Sequence, residues 1–237
     1  MSFTTWTPHA VSSEATSWRG KIWRMVEAQH VAATMKLVDS RDEQNLLELM
    51  LESSKPLQPE FSKRLDYLLA TPFRYHPLRN GSRFRSSTDP GVFYGAESVR
   101  TAGAELGFWR WKFLMDAVDL IRLEPVAHTA FRAEIATTVV DLRKAPFAAD
   151  GKVWRHGTDY TPTQALARVV REASVGGIVY QSVRDPQPAW CLALLTPAGF
   201  AKAKPYAQMQ TWFLSVSRHD VIWRRDAESM QFSAADW

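Results

Sequence analysis

The chain has 237 residues, 46% of them apolar and 23% charged, with a net charge of +4. That balance excludes a disordered chain, a collagen and a coiled coil, and the mild positive excess permits a polyanionic partner without demanding one. The single cysteine, Cys191, has no partner for an intrachain disulfide, which fits a reducing compartment. Ten tryptophans are the compositional outlier.

In chain order, the N-terminus shows no basic start followed by an apolar run, so no secretory signal is expected. Residues 21–26 (Lys-Ile-Trp-Arg-Met-Val) are rich in strand formers. Ser40-Arg41-Asp42-Glu43 is a capping box, and Leu46, Leu47, Met50 and Leu51 recur at helical spacing until Lys55-Pro56. A second helix is expected from Pro59 to Ala70, closed by Thr71-Pro72, because the residue before a proline leaves the helical region. Residues 73–91 hold the densest mixture of Arg, Gly and Pro and read as irregular.

Val92-Phe93-Tyr94 reads as a short strand, Ser98 opens a helix to about Met115, and Phe131–Leu142 reads as a long strand. Thr161–Ala173 is a further helix; Gly177–Arg184, Trp190–Leu195, Thr211–Ser217 and Asp220–Arg224 read as strands. The longest strongly apolar run, near 190–195, is too short to cross a bilayer, so a soluble, cytoplasmic protein with no membrane partner is expected. Short strands scattered among helices, without a β-α-β-α rhythm, point to a single α+β domain.

Several chemistries have no motif here. Neither a Gly-x-Gly-x-x-Gly after a strand nor a Gly-x4-Gly-Lys-Ser/Thr loop is present, and no Gly-x-Ser-x-Gly elbow. The six histidines lack metal-ligand spacing, so no metal is expected. Cys191 lies in an apolar run and reads as a small core residue.

Three stretches remain. Gly81-Ser82-Arg83-Phe84-Arg85 precedes Pro90-Gly91-Val92-Phe93-Tyr94-Gly95; Ala102-Gly103-Ala104-Glu105 places an acid after small residues early in a helix; Gly177-Ile178-Val179-Tyr180-Gln181-Ser182-Val183-Arg184 is a strand carrying a serine. Their order and separation resemble the RES domain, named for its Arg, Glu and Ser. Arg83 matches the motif arginine, Tyr94 the strand tyrosine, Glu105 the helix glutamate and Ser182 the late serine. Ile22-Trp23-Arg24 is similar to the family's opening strand, so the resemblance covers about residues 21–200. The stretch from Lys36 to Pro72 departs from the shorter toxin-type members as a helical insertion.

The resemblance implies an ADP-ribosyltransferase-like mixed β core with surrounding helices. Residues 1–20 would be an N-terminal extension, and 21–237 a RES-like domain with the insertion at about 36–72. It also implies an enzyme that consumes NAD+ by breaking the nicotinamide–ribose bond, as a growth-inhibiting toxin of a toxin–antitoxin pair. NAD+ is then substrate, with inorganic phosphate as co-substrate if the reaction is phosphorolysis, and no cofactor is permanently bound. Water or a protein are the other acceptors, the last giving mono-ADP-ribosyl transfer. An antitoxin with a helix-turn-helix domain is the implied partner, and homo-oligomerisation stays open.

These residue types suit that chemistry. Arginine pairs bidentately with phosphate, so Arg83 would hold the phosphates or the nicotinamide ribose. A carboxylate stabilises an oxocarbenium-like sugar, the role of Glu105. Tyr94 would stack on nicotinamide or donate to ribose, and Ser182 would hydrogen-bond the nicotinamide amide or a ribose hydroxyl without acting as nucleophile. Arg24, Arg74 and His30 are further substrate-binding candidates. Trp109 shares a helix face with Glu105 and would wall the same site or pack the core. From another class, the Arg-rich stretch 74–85 beside Phe73, Tyr75 and Phe84 suggests a basic nucleic-acid-binding module. A charge of +4 is a weak footprint for it, and direct nucleic-acid binding is not expected.

Overall fold

The computed structural model describes residues 5–28, 38–54, 60, 63–75 and 81–237. One eight-stranded mixed sheet organises them, in the order β1-β2-β5-β4-β3-β6-β7-β8. The strands are β1 (Thr16–Glu27), β2 (Phe93–Ala96), β3 (Arg122–Asp141), β4 (Gly177–Gln181), β5 (Trp190–Leu194), β6 (Gln210–Ser217), β7 (Asp220–Arg225) and β8 (Glu228–Ser233). Around them lie α1 (Pro8–Ser13), α2 (Arg41–Ser54), α3 (Tyr67–Arg74), α4 (Val99–Asp116), α5 (Gly151–Trp154) and α6 (Thr161–Glu172). The α+β class expected from the sequence is the class observed.

The twenty-residue β3 organises the topology. One edge pairs antiparallel with β1 from His128 to Val139. The other edge takes β6 along its first half and β4, in parallel, at Val139–Asp141. Because β1 also meets β2 at Trp23↔Ala96, strands β1, β2, β5, β4 and β3 close into a ring, and β6, β7 and β8 continue as a meander.

Alternate side chains of each strand point to opposite faces. Tyr180, Cys191 and Ala193 therefore join the cluster that includes Val221, Trp223 and Phe232, with Val99, Leu106 and Trp111 of α4 packed against it. Val179, Leu192 and Leu194 face the other way, with Ile22, Phe131 and Leu69 of α3.

Three expectations need correction. The second helix starts at Tyr67, not Pro59, because the Asp66 side chain accepts the Leu68 N–H at 3.0 Å and caps the chain there. Residues 59, 61 and 62 of that expectation lie outside the described residues. The helix also runs through Pro72 to Arg74 rather than stopping before it. Leu69 and Ala70 are buried and Phe73 meets Phe200 edge-on at 6.3 Å, so packing outweighs the proline's lost donor.

Residues 5–20, expected as an extension, are packed into the domain. Val11 is fully buried, Trp6 stacks on Phe147 with ring centroids 4.0 Å apart, and β1 already begins at Thr16. The Ser40 cap is formed as expected, Ser40 Oγ accepting the Glu43 N–H at 3.2 Å, while Glu43 Oε2 accepts the N–H of Asp39, one residue before the N-cap, at 2.9 Å. Among the described residues no helix is long and apolar enough to cross a membrane.

Candidate active site

A cavity of about 340 Å³ opens between β1, the turn at 81–83, β2, α4 and the ends of β4 and β5. That volume lies in the range of small-molecule sites.

Its first wall is a tight turn. Ser82 and Arg85 exchange backbone hydrogen bonds at 2.6 and 3.2 Å. Gly81 opens the turn at φ +65°, and a Cβ there would lie 2.2 Å from the Arg85 carbonyl. Gly81→Ala is therefore expected to cost about 1–3 kcal/mol of stability in urea denaturation. A loss below about 0.5 kcal/mol would contradict this reading of the turn.

The turn presents Arg83, which is 7% exposed. Arg83 Nη1 donates to the carbonyls of Trp154 and His156, both at 2.9 Å, and the guanidinium lies 4.6 Å from the Tyr160 ring centroid. The Tyr94 hydroxyl braces the same turn, accepting the Phe84 N–H at 3.0 Å and sharing a hydrogen bond with Ser82 Oγ at 2.7 Å. Burial pushes the Tyr94 phenol up, so it is a neutral group at physiological pH. Its backbone carbonyl accepts from Arg24 Nη1 at 2.7 Å.

Arg24 lies over the Phe93 ring at 4.8 Å, and its Nε is buried without a partner. Burial lowers its guanidinium to about 10, still cationic at neutral pH. A half-satisfied buried guanidinium is costly unless an anion completes it.

The carboxylate comes from α4. Ser98 caps this helix, its Oγ accepting the Thr101 N–H at 3.0 Å, and Glu105 follows two turns in. Glu105 Oε1 accepts from Ser182 Oγ at 2.6 Å. Ser182 Oγ in turn accepts the N–H groups of Arg184 and Asp185 at 3.3 and 3.1 Å. Those two backbone donors leave the serine proton for the carboxylate. No other hydrogen bond or ion pair holds Glu105 among the described residues apart from a 3.8 Å approach of Cys191 Sγ to the same oxygen.

Of the residues singled out in the sequence, Arg24, Arg83, Tyr94 and Glu105 line this one cavity. Trp109 lines it too, 46% exposed. Ser182 is 4% exposed and stands behind Glu105 rather than in the wall. Arg74, at the end of α3, lies 5.9 Å from the Tyr75 ring and does not line the cavity. His30 lies outside the described residues.

Sequence reasoning gave no role to Tyr160, Tyr180 or Arg184, which also line the cavity. Arg184 ended the third motif, and the polar residues around Ser182 were the available signal. Its guanidinium lies 3.4 Å from the Phe108 ring centroid, and Nη2 donates to the Gly157 carbonyl and, at 3.3 Å, to the Tyr160 hydroxyl.

Cys191 also reaches the wall but is 2% exposed. Burial, with the Glu105 charge second, pushes its thiol well above the ordinary thiol range. The native protein should resist iodoacetamide at pH 8 and react once unfolded; rapid native alkylation would contradict the packing described.

The charged lining is thus three arginines against one glutamate. Three cations against one carboxylate give the cavity a net positive charge, a field that favours anions over cations. Among the described residues no group of His, Cys, Asp and Glu is placed to hold a metal.

The RES domain family model matches residues 59–217. The chain belongs to the RES domain family. Comparison with curated proteins returns no match. Among solved structures the chain is similar to one titled as the M. tuberculosis MbcT–MbcA toxin–antitoxin complex. The identity is 13%, the match covers 93% of this chain and 88% of that one, and the TM-score is 0.45.

Proposed function

We propose that the chain binds NAD+ in this cavity and cleaves the bond between nicotinamide and ribose. The observation that carries the proposal is the convergence of Glu105 with Arg24 and Arg83 on one cavity wall system. The arginines that line the cavity pair with the pyrophosphate. Tyr160 and Trp109 offer aromatic faces to the bases.

Nicotinamide leaves neutral, taking the electron pair of the C–N bond, so little acid catalysis is required. Positive charge develops on the ribose, and the Glu105 carboxylate stabilises it. An acceptor oxygen then bonds to the same ribose carbon and releases its proton to solvent. Ser182 holds Glu105 by a single 2.6 Å bond and acts through it. Phosphorolysis, hydrolysis and transfer to a protein share every step but the last. A toxin role and an antitoxin partner belong to the same proposal, supported by family membership.

The test incubates purified protein with adenylate-labelled NAD+, with and without inorganic phosphate, and then with cell lysate. Soluble product only with phosphate assigns phosphorolysis; soluble product without it assigns hydrolysis; label on a discrete protein assigns transfer. NAD+ left intact in all three overturns the proposal.

The nucleic-acid alternative finds less support. Arg83 and Arg85 of the Arg-rich stretch are buried and bonded to backbone carbonyls rather than displayed on an open face.

A further inference from the structure

The family match ends at residue 217, yet the segment after it touches the cavity wall from behind. Strands β7 and β8 return the chain across α4, and the turn at Ala234–Asp236 is fixed in two ways. Ser233 Oγ accepts the Ala235 N–H at 3.2 Å, and the Ala234 N–H donates to the His219 carbonyl at 2.8 Å. Trp237 follows. Its indole N–H donates to the Arg184 carbonyl at 2.7 Å, and its ring meets Phe108 at 5.5 Å and Phe232 at 6.2 Å.

Arg184 is the cavity arginine that packs on Phe108. Trp237 therefore grips Arg184 through its carbonyl and also backs the ring on which its guanidinium rests. A second tie acts on the next residue. Asp185 accepts from Thr101 Oγ1 at 3.0 Å and pairs with Arg100 at 3.4 Å, while Arg100 lies over Phe232 at 4.7 Å. The first tie comes directly from a residue after 217; the second is made by α4 and is backed by Phe232, which also lies after 217.

We propose that Trp237 is a positioning residue of the site: its indole N–H fixes the Arg184 carbonyl and so aims the Arg184 guanidinium into the cavity. The segment after the matched domain thereby belongs to the substrate-binding apparatus. This rests on the proposed reading of the cavity as an NAD+ site, with Arg184 as a further partner of the pyrophosphate.

The test is a double-mutant cycle read by steady-state kinetics. Trp237→Phe keeps a ring against Phe108 and Phe232 and deletes the donor. KM for NAD+ should rise about fivefold, the scale of one hydrogen bond, with kcat within about twofold. Trp111→Phe deletes the neighbouring indole donor, which bonds the Arg218 carbonyl at 3.1 Å, and should leave both constants unchanged. In an Arg184→Lys background, Trp237→Phe should add less than about twofold. A fall in kcat as large as the rise in KM, an equal effect of Trp111→Phe, or full additivity with Arg184→Lys overturns the proposal.

A readout without turnover separates the two ideas. In nitrogen-15-labelled protein without substrate, the Trp237 indole N–H should exchange with solvent at least about a hundredfold more slowly than a free indole. Exchange at the free rate overturns the clamp whatever the substrate. Slow exchange supports it even in a protein that leaves NAD+ intact, a result that counts against the substrate reading instead.

Discussion

Glu105→Gln is expected to lower the rate of nicotinamide release by about a hundred- to a thousandfold, with KM for NAD+ changed by less than about threefold. The carboxamide keeps an acceptor at the Oε1 position, so the Ser182 hydroxyl retains its 2.6 Å bond and α4 keeps its packing. What is lost is the full negative charge beside the ribose, which matters in the transition state and little in the ground state. Ser182→Ala should act in the same direction and more weakly. The carboxylate survives, but it loses its one strong hydrogen bond, and the Arg184 and Asp185 N–H groups lose their shared acceptor. Single-turnover rates of the two variants check the order. A Glu105→Gln protein with wild-type kcat would remove Glu105 from the chemistry.

Arg83→Ala is expected to fail in two respects at once. The guanidinium bonds two carbonyls, of Trp154 and His156, and both lose a charged donor in a buried setting. A stability loss of about 3 kcal/mol follows, which for a chain of this size lowers Tm by about 6–12 °C. In addition, kcat/KM for NAD+ should fall by about a hundredfold, because a cavity cation is gone. Arg83→Lys separates the two effects. One ammonium restores the charge but not the fork, so it should recover part of the affinity and little of the lost Tm. Calorimetry with NAD+ kinetics on the same preparations measures both. An Arg83→Ala protein with unchanged Tm would contradict the carbonyl bonds.

Much of the architecture was legible because it is local. The Ser98 cap, the Ser40 cap and the strands expected from Gly177 and Trp190 are short-range signals that the structure forms, although the first strand ends at Gln181 rather than Arg184 and the second at Leu194 rather than Leu195. The misplaced second helix shows the limit of that reasoning. The Asp66 cap is a one-residue signal that the helical spacing of Phe61, Leu65, Leu68 and Leu69 in the sequence obscured, and Pro72 is tolerated because of tertiary contacts that no window contains. Strand β8 was overlooked because Glu228-Ser229-Met230-Gln231 is polar on its solvent side, and only Phe232 is fully turned inward.

At the site, Arg24, Arg83, Tyr94 and Glu105 were picked out by motif and meet in one cavity. Their partners were not readable. The carbonyls that hold Arg83 lie more than seventy positions away, at Trp154 and His156, and carbonyls leave no trace in sequence. Ser182 was expected to touch substrate, whereas its hydroxyl is spent on Glu105. Tyr94 was expected to stack or donate to ribose, whereas its hydroxyl is engaged with the turn that carries Arg83. Several of the ten tryptophans bear on the site. Trp109 lines the cavity, Trp154 lends Arg83 a carbonyl, Trp223 donates to the Gly103 carbonyl at 3.1 Å beneath α4, and Trp237 grips Arg184.

The most direct measurement follows free nicotinamide by proton NMR while purified protein is incubated with NAD+ and inorganic phosphate, beside the Glu105→Gln variant. Nicotinamide should accumulate in step with the loss of NAD+ in the first sample and stay near background in the second. NAD+ that persists unchanged with the folded wild-type protein, or is consumed equally fast by the variant, would contradict the assignment of this cavity.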